Sequence, residues 1–315
     1  MTAEVTDAMT DPCHSDGCGA RIHRSVLFCP GNHPRKLERV FSAGADAVIL
    51  DLEDAVAEQE KSATRAPVLR ALQKPRTCVG YVRVNGLETP FAFADLEAVV
   101  AQGVDGIFVP KIESTAQIDT VSWLITQLEA RRNLVPRSIL VTPILETGRG
   151  IAKAREIAAA CASSGRTAML SFGAGDYTRD MAMVWTRSEH ECAAARAEVV
   201  LASRIAGLQP PLDTVWARLE DEEGLIASCR LVRDMGFQGK LCIHPAQIGP
   251  VHDVFTPDAG AIAHARAVFA AFTEAERNGS ASIQLDGQFI DYPIVAAARR
   301  ILAVARAAGA DGPEA

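Results

Sequence analysis

From residue 24 onward the chain alternates between two kinds of segment, a pattern that few folds can satisfy. A short run of apolar, often β-branched residues is followed by a turn, then by a longer stretch whose apolar residues recur at helical spacing. The short runs span residues 25–29, 47–52, 78–84, 106–109, 139–145, 168–172, 212–215 and 240–243. Apolar strands separated by helices imply a parallel sheet whose faces are covered. Eight such units predict an α/β fold of the (β/α)8 TIM-barrel kind. The run at 212–215 carries the least signal because Gln209-Pro210-Pro211 precedes it, and a doubly wound open sheet is the alternative. Local signals agree with the helices: Pro34 opens a helix over 34–42, and Ser114 caps one ending at 131.

The barrel takes residues 24–256. Residues 1–23 are expected to be a disordered leader, and 257–315 a helical extension that closure does not require. That extension reads as a helix over 258–278, a turn-rich break over 279–287 with a short strand at 282–285, and a helix over 292–308. Its expected role is to cover the barrel mouth or a neighbouring subunit. A net charge of −7 leaves no basic surplus for a phosphate backbone, so nucleic acid is excluded as a bulk partner. No apolar run approaches the ~18 residues of a membrane span. Glu4, Asp7 and Asp11 occupy the amino terminus, where a signal peptide needs cations, so the expected location is cytoplasmic. The 8 cysteines are scattered, mostly in apolar segments, as reduced core residues are. Only Cys13, His14 and Cys18 cluster, and they lack a second pair of zinc ligands.

In a barrel, the residues at the carboxyl ends of the strands converge on one face. Those ends hold Pro30-Gly31-Asn32-His33, Asp51-Leu52-Glu53-Asp54, Arg83-Val84-Asn85, Pro110-Lys111, Glu146, Gly173-Ala174-Gly175-Asp176 and His244-Pro245. Glu146 and Asp176 follow adjacent strands and offer hard oxygen donors to one cation. Mg2+ suits them, because it is commonly held by one or two carboxylates plus waters and substrate. The competing explanation is that both acids cap the helices that follow. Arg83 is suited to bind a carboxylate or steady an enolate oxygen, and equally to pair with Asp51 or Glu53. Gly173 and Gly175 let the backbone approach a ligand closely. Lys111 offers a rival Schiff-base chemistry, although Glu113 nearby favours a charged, paired ammonium; Lys240, at the start of its strand, is expected at the opposite face. His33, Arg35, Lys36 and Arg39 form a basic group that reads either as a grip on coenzyme phosphates or as a solvated helix face with Glu38.

Taken in order, Arg24–Asn32, Ala45–Val56, Val82–Asn85, Val109–Glu113, Leu145–Gly150, Phe172–Asp176 and Gly239–Pro245 resemble the citrate lyase β-subunit-like proteins of the HpcH/HpaI aldolase superfamily. Citramalyl-CoA and malyl-CoA lyases belong to that group. The resemblance runs from about residue 24 to 305. It implies a magnesium-dependent carbon–carbon lyase acting on a β-hydroxyacyl thioester, assembled as a homotrimer or hexamer. By motif, Glu146 and Asp176 become the metal ligands, Arg83 the enolate stabiliser, and Glu53 and Asp51 the residues that orient Arg83 and the waters of the metal. Phe289-Ile290-Asp291-Tyr292-Pro293 matches the motif whose aspartate transfers the proton, which makes Asp291 that residue and gives the extension a purpose. Gly175, His33, Arg35 and Arg39 are implied to contact the substrate. Two departures stand out: His33 replaces an arginine common in relatives, and Val215-Trp216-Ala217-Arg218-Leu219 differs from the usual aromatic-proline-aspartate run. The alternatives are a malate or citramalate synthase or acyl-CoA thioesterase, and a citrate lyase β subunit acting on an acyl-carrier protein.

Overall fold

The computed structural model describes residues 23–310; residues 1–22, and with them the Cys13, His14 and Cys18 cluster, lie outside the described residues. Eight parallel strands close a barrel in chain order: β1 (Ser25–Pro30), β2 (Ala47–Asp51), β3 (Val79–Arg83), β4 (Gly106–Val109), β5 (Leu140–Leu145), β6 (Ser171–Phe172), β7 (Leu212–Asp213) and β8 (Gly239–Cys242). β8 returns to pair with β1 through Val26 opposite Leu241, which rules out the open sheet.

Strand alternation explains what lies inside. Ile49, Tyr81, Phe108, Ile144, Met169 and Leu241 belong to one buried cluster that fills the barrel. Since successive side chains on a strand point to opposite faces, Asp51, Arg83 and Glu146 face the same interior two residues later, at the carboxyl rim. The layer outside the strands is covered by helices whose boundaries follow local chemistry. Ser114 caps the helix Thr115–Arg131 by accepting from the Gln117 amide, and Thr147 caps Gly148–Ala152 by accepting from Gly150. Asp221 does the same for Glu222–Met235, which ends at Gly236 in the left-handed conformation. The predicted helix over 34–42 divides into α-helix Pro34–Arg39 and a 3-10 turn Val40–Ser42.

β6 and β7 are shorter than predicted, with two residues each, and Pro210 and Pro211 supply the reason. Neither proline has an amide hydrogen to give. Only the flanking Gln209 and Leu212 amides reach the Ala168 and Leu170 carbonyls, at 2.8 and 3.0 Å. The ladder therefore becomes regular only at Ser171, opposite Leu212.

Lys240 stands near the amino end of β8, opposite Ser25 at the start of β1, and so away from the carboxyl rim, as expected. It is fully buried on β8, on the side away from Leu241, with its Nζ 2.5 Å from Asp213 Oδ2. Asp213 in turn accepts two bonds from Arg196 of the helix Ala193–Ile205. All of the described cysteines are free; five are buried and Cys78 is half-buried. Burial pushes the Cys29 and Cys229 thiols up to about 11, so they behave as small core side chains.

The chain divides into two compact units, the barrel from 23 to 252 and a second unit from 253 to 310. The second unit packs the helices Ala259–Arg277 and Tyr292–Ala307 around Ile262, Phe272, Val295 and Leu302. A hairpin joins them: β9 (Ile283–Leu285) pairs antiparallel with β10 (Gln288–Ile290). Only the first of these strands was expected from the sequence. The signal for the second was Asp286-Gly287, whose φ values of 48° and 81° are those a tight two-residue hairpin turn demands.

Candidate active site

The carboxyl rim of the barrel holds a connected set of charges. Arg83, at the end of β3, binds Asp51 at the end of β2 in a bidentate fork, Nε to Oδ1 at 2.7 Å and Nη2 to Oδ2 at 2.6 Å. Its Nη1 lies 3.0 Å from Glu53 Oε2, and its guanidinium stacks 4.7 Å above the Phe28 ring. Asp51 also accepts the Glu53 and Ala55 amides, both at 3.0 Å. Burial alone would raise Asp51, yet Arg83 and these donors hold it below the usual carboxylate range. The pair is thus a fixed, charged platform. Removing one member of such a buried pair typically costs ~3–5 kcal/mol, because the other is left uncompensated.

Lys111 is the second cation. It does not pair with Glu113, which instead meets Arg149 at 3.2 Å. Its Nζ reaches Glu53 and stands 3.5 Å from Asp176 Oδ2, while its own amide donates to Glu146 Oε1 at 2.9 Å. One residue thereby touches three acids, and it does so in the left-handed conformation, at φ 53°. Burial works against the charged ammonium, but Glu53, Glu146 and Asp176 outweigh it and raise Lys111 above its ordinary value. Ion pairing to Glu53 and Asp176 thus disfavours the neutral amine that a Schiff base at Lys111 would need.

Glu146 and Asp176 stand on neighbouring units of the barrel, both against Lys111. Glu146 is buried and caps no helix, since Thr147 performs that function. Asp176 lies in the first turn of the helix Ala174–Asp180 and pairs with Arg179 at 2.7 Å. Burial, then the charges of Glu53 and Asp176, push Glu146 up to about 8. Glu53 is also raised, mainly by burial, and its Oε2 accepts no hydrogen bond even though Arg83 lies at ion-pair distance. Glu146 and Asp176, whose charges repel one another beside the orphaned buried oxygen of Glu53, form a donor pair that a hard divalent cation fits. No group of three or more metal-ligating side chains occurs among the described residues, so such an ion would keep open positions for water or substrate.

Gly173 is what allows this arrangement. A Cβ there would sit 2.6 Å from Glu146 Oε2 and 2.8 Å from Glu146 Cβ. Gly175 differs: it is exposed, and a Cβ would meet only the Trp185 ring at 3.5 Å. His33, Arg35, Lys36 and Arg39 are all exposed, with His33 at the N-cap of Pro34–Arg39 on the rim side. Arg39 ends that helix, roughly 9 Å further down the axis at 1.5 Å per residue. Asp291 belongs to the second unit, half-buried, where its Oδ1 caps Tyr292–Ala307 by accepting from Ile294 at 3.5 Å. His244 caps a 3-10 turn together with Gln247. Two participants escaped the sequence reading: Phe28, which looked like any core residue, and the bridging position of Lys111, which depends on strand neighbours far away in the chain.

The model of the HpcH/HpaI aldolase/citrate lyase family matches residues 24–245. The citrate lyase subunit beta of Leuconostoc mesenteroides subsp. cremoris is 37% identical over 91% of this chain and 94% of its own length. The (3S)-malyl-CoA thioesterase of Cereibacter sphaeroides is 36% identical over 92% of this chain and 97% of its own. Among solved structures, the protein CitE from Mycobacterium tuberculosis in complex with magnesium, acetoacetate and coenzyme A superimposes with a TM-score of 0.72. It is 32% identical and covers 91% of this chain and 98% of its own. With a matching family model over most of the barrel and relatives aligned along almost their full length, the chain belongs to the HpcH/HpaI aldolase/citrate lyase family of enzymes.

Proposed function

We propose that this protein is a magnesium-dependent carbon–carbon lyase that cleaves a β-hydroxyacyl-CoA of the citramalyl-, malyl- or citryl-CoA type to acetyl-CoA and a keto acid. The observation that carries the reading is the junction of Arg83, Lys111 and the acids Glu53, Glu146 and Asp176 at one rim of the barrel. Glu146 and Asp176 would hold Mg2+, which when bound supplies a Lewis acid to the hydroxyl and carboxylate oxygens of the keto-acid half. The magnesium and coenzyme A in the mycobacterial relative support that assignment.

The remaining work falls to the chain's own residues. Of the five guanidinium N–H groups of Arg83, two are committed to Asp51 and one faces Glu53. Two remain to stabilise the thioester oxygen as the carbon–carbon bond breaks and negative charge moves onto it. Asp51 and Phe28 prevent the guanidinium from turning away, so the donors need no reorganisation during reaction. Glu53 orients Arg83 from its other side and holds Lys111. The hydroxyl gives up its proton as the keto group forms, and Asp291, assigned by its motif, would take that proton up and return it to the methylene carbon, so that no net proton is exchanged. The exposed His33, Arg35 and Arg39 meet the coenzyme phosphates, and the proposed assembly is a homotrimer or hexamer.

A coupled assay across citramalyl-CoA, malyl-CoA and citryl-CoA tests this. Turnover stops in EDTA, returns with magnesium, and yields acetyl-CoA and keto acid in equal amounts; full turnover in chelator refutes the metal reading. The thioesterase named among the relatives favours a second reading, in which free CoA and an intact hydroxy acid appear instead. Turnover only on an acyl-carrier protein identifies a citrate lyase subunit.

A further inference from the structure

The loop after the Asp176 helix exposes Met181, Met183 and Val184 to solvent, yet its next residue, Trp185, is half-buried and tightly specified. The edge of its indole comes within 3.5 Å of the position a Gly175 Cβ would take, against the first turn that carries Asp176. Its Nε1 donates to Glu189 Oε1 at 3.2 Å, and its carbonyl accepts from Arg218 Nη2 at 3.0 Å.

Glu189 itself is unusual. It is buried, non-glycine and left-handed at φ 54°, a conformation that costs a side-chain-bearing residue on the order of 1 kcal/mol. Its Oε2 accepts from Arg196 Nη2 at 2.9 Å and Ser228 Oγ at 2.6 Å. Behind it, Arg196 forks onto Asp213, and Asp213 holds Lys240. The four charges alternate in sign, sum to zero and are all buried. Removing such a set from water is expensive, and hydrophobic packing would hold a helix to a sheet as well. What alternating charges add is direction: each carboxylate has one arrangement that satisfies both neighbours.

We propose that Trp185 is a positioning residue, locked by Glu189 to this buried line of charge, whose indole braces the Gly175 face of the helix and so sets where the Asp176 carboxylate stands. The proposal rests on the reading of Asp176 as a magnesium ligand. A methyl group at Gly175 would meet the indole only in ordinary van der Waals contact, so the brace does not depend on the glycine itself. Neither residue contacts the acid directly; the effect passes through one helical turn.

The test is magnesium titration by calorimetry on the full-length protein without substrate, beside thermal unfolding and steady-state kinetics. Partners one step removed from a metal ligand typically change its affinity ~10–100-fold, and Trp185→Ala is expected to weaken magnesium binding by about tenfold with little change in Tm. Trp185→Phe, which keeps an aromatic brace, restores most of that affinity. Glu189→Gln keeps the shape, loses the charge that balances Arg196, and is expected to weaken binding in the same direction; if it is insoluble, Trp185→Ala alone decides. Wild-type affinity in folded Trp185→Ala overturns the positioning role. Absence of magnesium binding in the unaltered protein overturns the metal reading, and this proposal with it.

Discussion

Gly173→Ala is the sharpest perturbation of the site. The glycine has φ −118° and ψ 99°, values open to any residue, so alanine introduces no backbone strain and restricts the unfolded chain, a gain of ~0.4–1 kcal/mol. Its methyl group is the difficulty. At 2.6 Å from Glu146 Oε2 and 2.8 Å from Glu146 Cβ, it falls about 0.8 and 0.6 Å short of an ordinary 3.4 Å contact. Rotating the carboxylate relieves the first overlap. The second involves a Cβ fixed to β5, and relief requires β6 to move, stretching the Gly173 amide bond to the Leu145 carbonyl from 3.2 Å. Loss of part of that bond costs ~1 kcal/mol, so the two stability effects nearly cancel. Catalysis has no such compensation, since a misplacement approaching 1 Å in an oriented site can cost ~10²-fold. The variant is expected to unfold within a few degrees of wild type while kcat/KM falls about 10²-fold. Differential scanning calorimetry and the coupled lyase assay measure the two quantities. Activity within about threefold of wild type, with Tm unchanged, would refute the claim that Glu146 must stand where it does.

Arg83→Lys keeps the charge but cannot fork onto Asp51; kcat is expected to fall ~10²-fold with KM for the thioester changed less, and wild-type kcat would remove the arginine from the mechanism. Lys111 stays protonated, so borohydride added with enzyme and keto acid leaves its mass unchanged, and a reduced adduct on Lys111 would revive the Schiff-base route. Asp213 is held below its ordinary pKa by Lys240 and Arg196 despite burial. Its contribution to stability is therefore complete above the unfolded value near 3.9 and disappears as pH falls through the lower folded value. Asp213→Asn should lose ~3–5 kcal/mol at pH 7 and lose less than wild type on further acidification, as chemical denaturation across pH 2–7 would record; parallel acid profiles would contradict that assignment.

The barrel was legible because its evidence is local and repeated. Each strand announces itself by a few apolar residues, each helix by a cap such as Ser114, and strand order follows from short right-handed crossovers. Convergence of Asp51, Arg83, Glu146 and Asp176 on one rim followed from the same repetition, without knowledge of any distance. Reading failed where a residue's meaning is set by partners remote in sequence. Glu113 looked like the partner of Lys111 because it is two residues away, whereas strand register delivers Glu53 and Asp176. Lys240 does stand near the start of its strand, but its burial against Asp213, itself forked by Arg196, depends on which way that strand faces the helix layer. Gly173 and Gly175 were indistinguishable as letters; only one of them has a carboxylate against it.

The amino-acid sequence by itself determined the fold and the chemical types present at the barrel mouth, since both depend on periodicity and on position along each strand. Tertiary structure alone decided which cation meets which acid, which carboxyl is driven toward its protonated form and which glycine is indispensable. Those properties are set by distances of a few ångströms between separate strands, and Coulomb and contact energies change steeply over that range.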